Sequence, residues 1–74
     1  MRLPDAIRIA RRARGWSQLD LAVAAGTTQK RVWAVEAGSE PGADMLLRLA
    51  RALELEVQFG PYVLDGVETI RLAS

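Results

Sequence analysis

The 74-residue chain contains no cysteine and no histidine. Without thiols there is no disulfide, no zinc–thiolate site and no cysteine nucleophile. The lack of cysteine also fits a reducing cytoplasm. Without imidazole the usual general base and metal ligand are missing too. No glycine-rich phosphate loop, metal-ligand cluster or paired-carboxylate spacing takes their place. The sequence therefore argues against an enzyme and implies no cofactor. No apolar run approaches the roughly 18 residues needed to span a bilayer. There is no signal-peptide pattern, and Met1-Arg2-Leu3-Pro4 reads as a native start, so the expectation is a cytoplasmic protein without a membrane role. The length is that of one domain with a modest core.

A net charge of +1 is unremarkable for a partner of a polyanion. Its distribution is informative. Residues 1–31 carry seven cations (Arg2, Arg8, Arg11, Arg12, Arg14, Lys30, Arg31) against Asp5 and Asp20, a surplus of five. Residues 32–74 carry Arg48, Arg51 and Arg71 against seven acids, a deficit of four. Such a split implies one basic face for a polyanion and one acidic face for something else. The arginines of the first segment, Arg2, Arg8, Arg12 and Arg14, read by default as a solvated helix face.

Four short helical segments are predicted within residues 1–54. Pro4 suits a helix start, and Ile7 and Ala10 lie at helical spacing before Gly15. Ser17 is a good N-cap for a second helix that buries Leu21, Ala22 and Ala25. Gly26 breaks the chain, and Thr28 can cap a third helix, running to Ala37, with Val32 and Val35 on its buried side. After the turn-rich Gly38-Ser39-Glu40-Pro41-Gly42, the residues Leu46, Leu49, Ala50 and Leu53 repeat at spacings of three and four, the mark of a fourth amphipathic helix. The period then changes to two: Leu55, Val57 and Phe59 alternate with Glu56 and Gln58. Asp65-Gly66 lies between two β-prone runs, a hairpin signal. The fold class is thus mainly α, four short helices followed by a C-terminal β-hairpin, with residues 1–54 as one unit and 55–74 as a second. Strands near 55–64 and 67–72 joined by a two-residue turn place Leu64 opposite Val67, Tyr62 opposite Thr69 and Phe59 near Leu72. Gly60-Pro61 bends the first strand or limits its pairing.

The stretch Gly15-Trp16-Ser17-Gln18-Leu19-Asp20-Leu21-Ala22, then Gly26-Thr27-Thr28-Gln29, then Val32, Val35-Glu36 and Gly38, resembles the lambda-repressor-like (Cro/XRE) helix-turn-helix family over residues 5–55. In that fold the second helix sits on the phosphate backbone and the third enters the major groove. The resemblance implies base reading by Gln29 and Lys30 in the first turn of the third helix, with Ala34 one turn on against a thymine methyl. Thr28 and Arg31 are expected at phosphates. Gln18 is expected either at a phosphate or as a brace for the third helix. Trp33 departs from the small polar residue usual there. It is grouped with the phosphate contacts, with packing on a sugar–phosphate edge, on Arg31 or on a partner left open. Trp16 is expected to fill the core between the first two helices. Arg11 and Glu36 match the positions of an interhelical ion pair and are expected to be structural.

Two departures narrow the resemblance. Glu54 stands where the family often has glycine, and strands after the fourth helix are not part of the bare fold. The segment Ala52-Leu53-Glu54-Leu55-Glu56-Val57 is similar to HipB-type antitoxins, which are dimeric autorepressors that bind a HipA-type toxin kinase. That resemblance implies a homodimer on an inverted-repeat operator in double-stranded DNA, with Leu55, Val57, Phe59, Ile70 and Leu72 in the dimer contact. A hairpin folded back on its own fourth helix is the competing arrangement. The leading expectation is a sequence-specific repressor acting as an antitoxin. The alternatives are a general or phage-type repressor without a toxin, and a protein-interaction module of the same fold that does not bind DNA.

Overall fold

Proline in a first turn, a reciprocal cap and left-handed glycines punctuate the chain where the sequence places them. The computed structural model describes residues 2–59 and 67–72, with side chains for residues 2–55. Helix α1 spans Leu3–Ala13 with Pro4 in its first turn and Asp5 favourably placed near the positive end of the helix dipole. Helix α2 spans Gln18–Ala25. Its N-terminus carries a full capping box: the Asp20 N–H donates to Ser17 Oγ at 3.0 Å, and the Ser17 N–H donates to Asp20 Oδ2 at 2.8 Å. Gly26 closes α2 in the left-handed region, with φ 69°. Helix α3 spans Gln29–Glu36, and Thr28 Oγ1 accepts from the Arg31 N–H at 3.3 Å. Helix α4 spans Ala43–Leu53. Every one of these helices is at most 11 residues long and would be marginal alone. Their stability comes from the face each one buries.

That burial is shared. Ile7 and Ala10 of α1, Leu21, Ala22 and Ala25 of α2, Val32 and Val35 of α3, and Leu49 and Leu53 of α4 form one continuous apolar core. The alanines at 22 and 25 allow close approach around α2. A second, smaller cluster joins Ala6 of α1 to Leu46 of α4, with Leu3 and Leu55 packed on it. No helix among the described residues is long and apolar enough to cross a membrane.

Beyond α4, strands β1 (Leu55–Phe59) and β2 (Val67–Leu72) pair antiparallel. Strand β1 lies beside α4, and β2 lies beside α1. The register corrects the sequence-based expectation. Leu55 pairs with Leu72, Val57 with Ile70 and Phe59 with Val67, with an irregularity between Gln58 and Phe59. Phe59 therefore does not meet Leu72. The expected register assumed the shortest turn and ran β1 through Pro61, which has no N–H to give the ladder. Strand β1 spans Leu55–Phe59 as described, and Pro61 lies outside the described residues. This register sets apolar positions opposite apolar ones and Glu56 opposite Arg71. The expected pairings of Leu64 with Val67 and Tyr62 with Thr69 are corrected too, since Val67 pairs with Phe59 and Thr69 with Gln58; the expected Asp65-Gly66 turn lies outside the described residues.

Candidate nucleic-acid interface

Helix α3 is held by a buried charge network. The Arg11 guanidinium on α1 donates through Nε to Glu36 Oε2 at 2.7 Å and through Nη2 to Glu36 Oε1 at 2.9 Å. Both residues are buried, at 9% and 6% exposure. The bidentate geometry fixes direction as well as distance. Arg11 Nη1 also donates to the Trp16 carbonyl at 2.8 Å, tying the α1–α2 connection to the same guanidinium. Arg8 adds a hydrogen bond from Nη2 to the Glu36 carbonyl at 2.8 Å. Burial pushes the Glu36 carboxyl up, but hydrogen bonds from Arg11 and Gln18 and the charges of Arg11 and Arg8 outweigh it. The carboxyl is held below the usual range. The hydrogen bond to Glu36, opposed by burial, raises Arg11 further above its already high value.

Gln18 stands at the start of α2 and is half-buried. Its amide donates to Glu36 Oε1 at 3.4 Å. This contact ties the start of α2 to the end of α3. Three residues from two helices, Arg8 and Arg11 of α1 and Gln18 of α2, thus converge on Glu36, and the end of α3 cannot pivot without stripping hydrogen bonds from a buried carboxylate.

The expected role of Trp16 needs correction. The ring is only partly buried, packed against the core from outside. Its open face is covered by Arg14, whose guanidinium carbon lies 5.2 Å from the ring centroid. Arg14 in turn reaches Glu54 Oε2 at 2.9 Å and the Leu53 carbonyl at 3.3 Å. This chain of contacts staples the end of α1 to the end of α4. Trp16 sits at a rim because the space between α1 and α2 is filled by Ile7, Ala10 and Leu21.

The turn between α2 and α3 carries a contact that periodicity does not announce. Arg48 of α4 donates through Nη1 to the Gly26 carbonyl at 3.2 Å, while its Nε donates to Asp44 at 2.9 Å. A Cβ on Gly26 would come to 3.3 Å from that guanidinium. The helix-turn-helix is therefore braced at one end by Glu36 and at the turn by Arg48. No spacing rule links residues 26 and 48, so only the fold brings them together.

What this framework presents is the outer side of α3. Gln29, Lys30 and Arg31 are exposed in its first turn, Thr28 is exposed at the cap, and Ala34 is half-buried one turn on. Trp33 is 60% exposed. The one acid of α3, Glu36, is buried and neutralised by Arg11. The exposed side of α3 thus carries two cations, an amide and an indole, with no exposed carboxylate on that helix. Arg12 is exposed, whereas Arg8 and Arg14 are engaged with Glu36 and Glu54. No grouping of three or more acidic side chains able to hold a metal occurs among the described residues.

Two short helices meeting at a left-handed glycine, the second with an open polar face and both packed on flanking helices, make a helix-turn-helix domain. Comparison with known proteins agrees. The helix-turn-helix family model matches residues 7–59. A curated relative from Sinorhizobium fredii (strain NBRC 101917 / NGR234), named an uncharacterized HTH-type transcriptional regulator y4dL, is 41% identical over 56 residues. The match covers 74% of this chain and 29% of that regulator, so the chain spans less than a third of its relative's length. The chain belongs to the Cro/XRE-type helix-turn-helix family.

Proposed function

We propose that the protein is a cytoplasmic, sequence-specific DNA-binding transcriptional repressor. The observation that carries this reading is the first turn of α3. Gln29, Lys30 and Arg31 are all exposed there, on a helix whose orientation is fixed by the buried Arg11–Glu36 pair. In the major groove Gln29 pairs with adenine and Lys30 with guanine acceptors, while Ala34 approaches a thymine methyl. Thr28 and Arg31 contact phosphate. The name of the Sinorhizobium relative, a transcriptional regulator, supports the same reading. Selection of bound duplexes from a random pool, followed by footprinting, tests it. Protection of an inverted repeat with half-sites about one helical turn apart is expected. Failure to enrich any sequence contradicts it.

The same reading includes a homodimer. A two-stranded sheet is marginal in water, and among the described residues each strand has a single neighbour. Pairing of a strand edge with a second copy across a two-fold axis covers that edge, and extends the apolar pairs Leu55–Leu72, Val57–Ile70 and Phe59–Val67 into an intermolecular contact. On this reading residues 55–74 form a hairpin that serves as the dimerisation element. Deleting residues 60–74 should then give monomers by light scattering with the helical signal kept. A truncated protein that stays a full dimer places the interface on the helices. The antitoxin role and a HipA-type toxin kinase partner rest on the similarity of residues 52–57 to HipB-type proteins and on the acidic second half. Co-purification from the native host, with mass identification of what accompanies the protein, tests that partner.

A further inference from the structure

Trp33 is a large apolar side chain left 60% exposed on α3. It lies four residues after Gln29 and three after Lys30, a spacing that puts all three on one stripe of the helix. The residues before it on that stripe are the Gln29 amide and the Lys30 cation, and α3 has no exposed carboxylate, so the surrounding surface suits a polyanion. The indole offers one N–H donor and a broad apolar area. A phosphate takes only the N–H and leaves the apolar area in water. In the major groove the base edges present hydrogen-bonding groups and a single apolar one, the thymine C5-methyl.

We propose that Trp33 is a specificity residue that reads thymine through its C5-methyl, next to the base pairs reached by Gln29 and Lys30. The proposal rests on the DNA-binding reading above and replaces the sugar–phosphate role expected from sequence. Ala34, the next residue in the chain and half-buried, adds a methyl beside it. Together they give the polar reading helix an apolar strip that discriminates thymine from cytosine without a hydrogen bond.

The test uses the full chain and the duplex it enriches from a random pool. Each thymine of that duplex is replaced in turn by deoxyuridine, which removes only the methyl. At one position beside the bases read by Gln29 and Lys30, the wild type should lose about three- to fivefold in affinity, the worth of one buried methyl-sized contact. Trp33→Ala should bind the thymine and uracil duplexes alike, with an unchanged slope of log affinity against log salt. Trp33→Leu, which keeps an apolar side chain, should retain part of the discrimination. Because the ring is exposed, both variants should melt like wild type. Wild-type indifference to uracil at every position overturns the proposal. So does a Trp33→Ala variant that binds like wild type, or one that loses both duplexes equally with a shallower salt slope. If the wild type enriches no duplex, the DNA-binding reading fails first and the proposal with it.

Discussion

Glu36 shows how a single residue can be structural in effect while sitting on a functional helix. Its carboxylate accepts from Arg11 twice and from Gln18 once, in a buried position. A buried pair is not automatically stabilising relative to an apolar replacement, but removing one partner strands the other. Glu36→Ala should therefore cost about 3–5 kcal/mol, read by denaturant unfolding. Because the folded carboxyl is held below its unfolded value, its contribution is present above the unfolded value, about 4.3. It is lost as pH falls through the lower folded value. Stability should thus fall on acidification, and Glu36→Gln should weaken that acid limb while lowering stability at neutral pH. An identical acid limb in the variant assigns it to other carboxylates. Trp16 belongs to the same scale. Its partial burial predicts that Trp16→Ala costs about 1–3 kcal/mol, less than the ~3–5 of a fully buried aromatic. A larger loss in the melting analysis would restore the ring to the core. The pairing of Arg11 with Glu36 was legible because the family pattern fixes both positions. The rim position of Trp16 was not, since a tryptophan beside a helix start carries no mark of how deeply it packs.

At the scale of elements, helix limits were readable because they are set by local chemistry. The Ser17–Asp20 box, the Thr28 cap and the left-handed Gly26 each use residues within a few positions of one another. The end of α4 is different. Glu54 takes φ 55°, a conformation that glycine would adopt with less strain, and it is held there by Arg14 from 40 positions away. The strand register was missed for a related reason. Local turn chemistry favours the shortest connection, whereas the observed pairing starts from Leu55 packed against Leu46 and Ala6. Non-local contacts decided both. The α2–α3 turn yields the prediction at this scale. Gly26→Ala should lower stability by about 1–2 kcal/mol through its left-handed backbone. It also presses on the Arg48 guanidinium, so combining it with Arg48→Ala should cost less than the two changes summed. Strict additivity in thermal melts shows that the Arg48 contact does not bear on the turn.

For the whole molecule, the acids and bases separate by element as well as along the chain. The carboxylate of α3 is buried, that of Asp20 is occupied in a cap, and the cations Lys30 and Arg31 stay open. The small net charge of +1 therefore hides a helix face suited to DNA. The direct test is to measure binding of the enriched duplex by wild type, Gln29→Ala, Lys30→Ala and Arg31→Ala across a salt series. Gln29→Ala and Lys30→Ala should each cost roughly 1–3 kcal/mol on that duplex and relax preference at one base pair. Arg31→Ala should weaken all sequences alike and reduce the salt slope by about one. An unchanged sequence preference in both Gln29→Ala and Lys30→Ala would contradict α3 as the reading helix.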